Sequence, residues 1–133
     1  MEKASFLFSK IDNTKASLLA LKSTNPNLYY LLDRQLFKLK KILDSIKEHH
    51  ETLTDSVSVY NWIQFALEGI ERLINSLDIE YWLKEKKGVD ELINDFVLSF
   101  KKEPKFLEKI IEIKHILDEV SEISAILSGK IPD

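Results

Sequence analysis

Residues 55–77 read DSVSVYNWIQFALEGIERLINSL, the most apolar long stretch in the chain. Val59, Ile63, Ala66, Leu67, Ile70, Leu73, Ile74 and Leu77 recur there at steps of three and four. Asn61, Gln64, Glu68, Glu71, Arg72 and Asn75 fall between them. Side chains three and four apart share a face of a helix, whereas a strand alternates at every second residue, so the spacing predicts a helix. Val57, Tyr60, Trp62 and Phe65 widen the apolar stripe beyond what one neighbour covers, which makes this the helix around which the others pack. Gly69 stands in its middle and costs about 1 kcal/mol relative to alanine. Either the helix tolerates that cost, or another helix crosses closely there.

The segments on either side carry the same period. Toward the N-terminus, a helix is predicted over residues 26–50 on the seam Tyr29, Leu32, Leu36, Leu39, Leu43 and Ile46. Asn25 is positioned to cap it, and Pro26 fits its first turn, where the missing N–H would have no helical partner anyway. A helix over residues 3–22 precedes it, with Ala4, Leu7, Ile11, Leu18 and Leu21 on one face and a polar middle, Asp12-Asn13-Thr14-Lys15, that could hold a break. Toward the C-terminus, Asp78 and Asp90 are candidate caps. Lys84, Lys86 and Lys87 before Gly88 match a helix end, because lysines offset the dipole and glycine allows the left-handed closing residue. Residues 78–100 therefore read as one helix or two. The last helix, over residues 104–128, keeps Phe106, Ile110, Ile113, Leu117, Val120, Ser124 and Leu127 at 4-3 spacing, with Gly129 after it. Its stripe is wider than a coiled-coil seam.

Four long helices plus one or two short ones, joined by short turns, predict a single all-α bundle domain over residues 1–133. A chain of 133 residues with 44% hydrophobic and 31% charged side chains suits one folded domain. There is no cysteine, which removes disulfides, thiolate metal sites and cysteine nucleophiles. No run approaches the ~18 apolar residues of a membrane span. The N-terminal Phe6-Leu7-Phe8 is too short for a secretory signal, so a cytoplasmic location without membrane contact is expected. Charge is uneven: residues 1–50 balance at +4 and residues 51–133 at −7. Both halves mix their signs, which favours basic helices packing beside acidic ones within the molecule.

Catalytic and cofactor signatures are weak. The three glycines lie far apart, so no phosphate-cradling loop exists, and no serine stands in a Gly-x-Ser-x-Gly context. Glu112 and His115 form a Glu-x-x-His pair, used twice in ferritin-like di-iron bundles. Here it occurs once, on a stripe with Glu108, Glu119 and Glu122 expected to face solvent, so no metal site is assigned. In Glu48-His49-His50-Glu51 the imidazoles point about 100° apart on a helix and cannot share one ion. No catalytic residue and no cofactor are expected.

Two surface features remain. Arg34, Lys38 and Lys41 stand at i, i+4 and i+7 on the helix over 26–50 and could track a phosphate backbone, with Tyr29 and Tyr30 stacking on bases. Against that, Asp33, Asp44 and Glu48 interleave, and only two arginines exist. Adjacent aromatics on a helix cannot both face one core, so Tyr81-Trp82-Leu83 is the predicted partner-binding patch. The sequence thus points to a non-enzymatic protein–protein interaction module: a scaffold, adaptor or small subunit, with another protein or its own copy as partner. The alternatives are a nucleic-acid-associated subunit using Arg34, Lys38 and Lys41, and a carboxylate–histidine metal-binding protein.

Overall fold

A computed structural model describes residues 2–49, 56–99 and 104–127. The elements are α1 (Glu2–Leu18), α2 (Leu21–Thr24), α3 (Pro26–His49), α4 (Ser56–Ile74), α5 (Glu80–Ser99) and α6 (Pro104–Leu127), with no strand among the described residues. Five of the helices are long and α2 is a single turn. The expected all-α bundle is what the chain forms.

The central role of α4 follows from its stripe. Val59, Tyr60, Ile63, Ala66, Leu67 and Ile70 are buried, in one cluster with Leu7, Ile11 and Leu18 of α1, Leu32, Leu39 and Leu43 of α3, and Ile113, Leu117 and Val120 of α6. α1 packs on α3 and α4, and α6 packs on the same two helices from the other side. These four enclose the core. α5 lies outside them, against α6 and, less closely, α4. Only Trp82 and Ile93 of α5 are fully buried.

Several ends and interiors differ from the sequence expectation. α1 has no break at residues 12–15. Thr14 is buried, and its hydroxyl lies 2.7 Å from the Lys10 carbonyl and 3.2 Å from the Glu71 carboxylate, so a polar residue is accommodated inside. The chain turns instead at Leu19 and Ala20. The central helix stops at Ile74 rather than Leu77. The Leu77 N–H donates to the Arg72 carbonyl at 2.8 Å and the Ser76 N–H to the Leu73 carbonyl at 3.4 Å, with Ser76 at φ 53°. This is a Schellman closure, with a serine where glycine is usual. Leu77 is consequently well exposed, and so is Val57 at the opposite end of α4. Residues 80–99 form one helix that runs through Gly88. Lys86 and Asp90 bridge that position by an ion pair of 2.7 Å, and Lys86 also reaches Asp118 of α6 at 2.7 Å. Asp90 is therefore a pairing residue inside α5, not a cap.

Other expected features stand. The Asn25 side chain accepts the Leu28 N–H at 3.3 Å, capping α3, and the Asp78 carboxylate accepts the Glu80 N–H at 2.9 Å ahead of α5. Gly69 is a close crossing: a Cβ there would lie 2.6 Å from Cε2 of Trp82. His50 and the turn and tail residues 51–55, 100–103 and 128–133 lie outside the described residues, as do the side chains of His49 and Phe106.

Candidate functional site

An open groove of about 620 Å³ lies between α1 and α3. Its α1 wall is Ile11, Asp12 and Lys15, and its α3 wall includes Tyr30, Asp33, Arg34, Leu36, Phe37, Lys40, Lys41 and Asp44. The groove exists because α3 is longer and wider in its apolar content than α1 can cover. Leu32, Leu36 and Leu39 turn inward, which leaves the residues on the other flank of the seam at the surface. Tyr30 and Phe37 are 61% and 60% exposed, two large rings seven residues apart on one face. Lys41 Nζ sits 5.0 Å from the Phe37 ring centre, a cation over an aromatic face. Arg34, Lys40 and Lys41 have no ion-pair partner among the described residues.

The basic triplet read from the sequence is divided. Arg34 and Lys41 line the groove. Lys38 turns to α6, where it donates to Glu119 at 3.2 Å beside a hydrogen bond from Gln35 to the same carboxylate. Three aspartates share the groove with the four cations, so its field is mixed rather than uniformly positive.

The aromatic triplet is divided too. Trp82 is fully buried: its ring stacks on Phe65 with centres 4.9 Å apart, and its indole N–H donates to the Phe65 carbonyl at 2.7 Å. Leu83 is partly buried against the core. Tyr81 alone is on the surface, 57% exposed, with the Arg72 guanidinium 5.4 Å from its ring centre. Three adjacent residues span most of a helical turn, so one of them had to enter the core, and Gly69 supplied the space for the largest.

The acidic stripe of α6 does not stay outward as a unit. Glu119 is drawn to Gln35 and Lys38, while Glu112 lies 3.8 Å from Lys109 and His115 is exposed. Among the described residues no three His, Asp or Glu side chains gather as a metal site would require. Two buried polar positions are structural. Burial alone would lower the Lys86 pKa, but the hydrogen bonds it donates to Asp118 and Asp90 and their charges raise it above its ordinary value, fixing α5 to α6 as an ion pair. Burial pushes the Tyr60 phenol up, and its hydroxyl has no hydrogen-bond partner among the described residues.

Sequence reasoning gave Tyr30 only as a stacking candidate and assigned Phe37 no surface role, and so missed the groove. The signal was present in the spacing Tyr30, Arg34, Phe37, Lys41, which is a second 4-3 stripe on α3 parallel to the core seam. No helix among the described residues is long and apolar enough to cross a membrane. In comparison with known proteins, the chain matches no family model, no curated protein and no solved structure.

Proposed function

We propose that this protein is a non-enzymatic interaction module that receives a helix of a protein partner, foreign or its own copy, in the groove between α1 and α3. One observation carries the proposal: Tyr30 and Phe37 stand more than half exposed at i and i+7, with Arg34 and Lys41 unpaired at i+4 from each. Helix-in-groove recognition uses anchors at this spacing, and aromatic and arginine side chains dominate binding energy where such surfaces meet. Asp12, Asp33 and Asp44 in the same groove disfavour a polyanion, whose backbone would pass close to all three.

A photo-crosslinking amino acid at position 37, with position 17 on the exposed face of α1 as control, tests the proposal in cells. A discrete protein adduct at position 37 and none at position 17 is the expected result. No adduct at position 37, or identical adducts at both positions, overturns it. A nuclease-sensitive adduct transfers the groove to nucleic acid.

A further inference from the structure

The outer face of α5 carries a second stripe with the same spacing as the groove. Tyr81, Glu85, Gly88, Leu92 and Asp95 follow one another at steps of four and three, and all are exposed. Tyr81 and Leu92 are 57% and 59% exposed, unusual for large apolar side chains on a helix already packed on one side. Gly88 is at the centre of the stripe. A Cβ there would meet nothing within 4 Å, and its φ is not left-handed, so neither packing nor a turn in this chain accounts for a residue that weakens the helix. Glu85 and Asp95 have no ion-pair partner among the described residues.

We infer that the α5 face of one molecule docks, antiparallel, in the α1–α3 groove of a second copy, with Phe37 seated over Gly88. The two stripes have equal length, Tyr30-Arg34-Phe37-Lys41-Asp44 against Tyr81-Glu85-Gly88-Leu92-Asp95, and their central residues, Phe37 and Gly88, coincide when one is reversed. Reversing one against the other puts the exposed ring of Phe37 on the one residue of the α5 stripe without a side chain. It also sets Lys41 against Glu85 and places Tyr30 and Arg34 at the Asp95 end, next to Glu91. Lys41 thus meets an anion directly, while Arg34 lies opposite Leu92 with Glu91 and Asp95 flanking that residue on α5. The fold already uses this device internally, where the Trp82 ring rests on Gly69. Because α5 packs on the α4–α6 side and the groove lies on the α1–α3 side, one molecule cannot satisfy itself. The contact joins two different patches, so it is heterologous. Stripes of about four turns bury little area, which places the association among weak, reversible ones.

This inference rests on the groove being a helix receptor and names its occupant. Sedimentation of the full chain at low salt, from roughly micromolar to near-millimolar concentration, tests it. The wild-type mass is expected to rise with concentration. Lys41→Glu and Glu85→Lys are each expected to weaken association by about tenfold or more, since each places like charges together. The double variant Lys41→Glu/Glu85→Lys restores the pair in reversed sense and should associate as wild type does. An equimolar mixture of the two single variants has the native Lys41–Glu85 pair at one contact and the charge-reversed pair at the other, so it should recover association by alternating the two chains, although neither variant associates well alone. All these positions are exposed, and an unchanged helical circular-dichroism spectrum verifies that each variant folds. A wild-type mass that stays monomeric throughout, single variants that associate normally, or a double variant that stays dead each overturns the inference. A monomeric wild type together with a position-37 adduct to a different protein would remove the self-docking and leave the receptor groove standing.

Discussion

Gly69 and Gly88 are both helix-interior glycines, nineteen residues apart in sequence. Each carries the same intrinsic penalty, about 1 kcal/mol against alanine. Their surroundings are opposite. Gly69 lies under the indole of Trp82, which fills the space any side chain would need. Gly88 faces open space on the outer side of α5, with no neighbour to explain it. The first glycine is accounted for by packing inside the molecule; the second has no such contact among the described residues, and the proposed docking of a second copy supplies one. A helix-weakening residue thus becomes informative once its neighbours are known: where a close contact is present it reports on the core, and where none is present it points to a partner.

The contrast can be broken by substitution, and the largest effect is expected at its pivot. Trp82→Ala removes a fully buried indole that stacks on Phe65 and holds α5 to α4, and should cost about 3–5 kcal/mol in urea unfolding. Gly69→Ala drives a methyl group to 2.6 Å from a ring atom packed too tightly to yield, and should cost about 1–3 kcal/mol. In a Trp82→Ala background that cost should largely vanish, a non-additivity that a double-mutant cycle measures directly. If Gly69→Ala is neutral with Trp82 in place, the close crossing is not what fixes this glycine.

Smaller effects sharpen the picture of how α5 is attached. Lys86→Met leaves Asp90 and Asp118 without their shared cation and should cost about 1–2 kcal/mol, less than a fully buried pair because Asp118 is half exposed. Since the Lys86 pKa is raised on folding, its contribution is complete below the ordinary lysine value of 10.5 and is lost as pH climbs through the higher folded value. The stability gap between wild type and Lys86→Met should therefore be constant through neutral pH and close only in strong alkali. A gap that closes in the neutral range would contradict the ion pair. Gly88→Ala should stabilise the monomer by about 0.5–1 kcal/mol, opposite in sign to Gly69→Ala. Ser76→Gly, at φ 53°, should add a similar amount by relieving the left-handed serine that closes α4.

The bundle itself was legible because α3, α4 and α6 repeat apolar residues at helical spacing for many turns, and periodicity over that length leaves little alternative. Caps were legible where one side chain does the work, as at Asn25. Three features were not. The polar run Asp12-Asn13-Thr14-Lys15 looked like a break because Thr14 finds its partner, Glu71, 57 residues away in the chain. Lysines before Gly88 resembled a helix end because the Asp118 that anchors Lys86 is on another helix. The Tyr81-Trp82-Leu83 patch dissolved because the pocket that takes Trp82 is made by a glycine thirteen residues earlier. In each case local chemistry was read correctly and a long-range partner changed its meaning. The groove was hidden for a related reason: Tyr30 and Phe37 are visible as aromatics, but whether α1 covers them depends on how far α1 reaches across α3.

The assignment of Gly88 to an intermolecular contact is tested most directly by amide NMR spectra of the full-length protein recorded across a dilution series. Concentration-dependent shifts are expected at two separate places, residues 30–44 on α3 and 81–95 on α5, with Gly88 among the largest and α4 unchanged. Spectra that do not move with concentration, or that move only away from these two stripes, would contradict it.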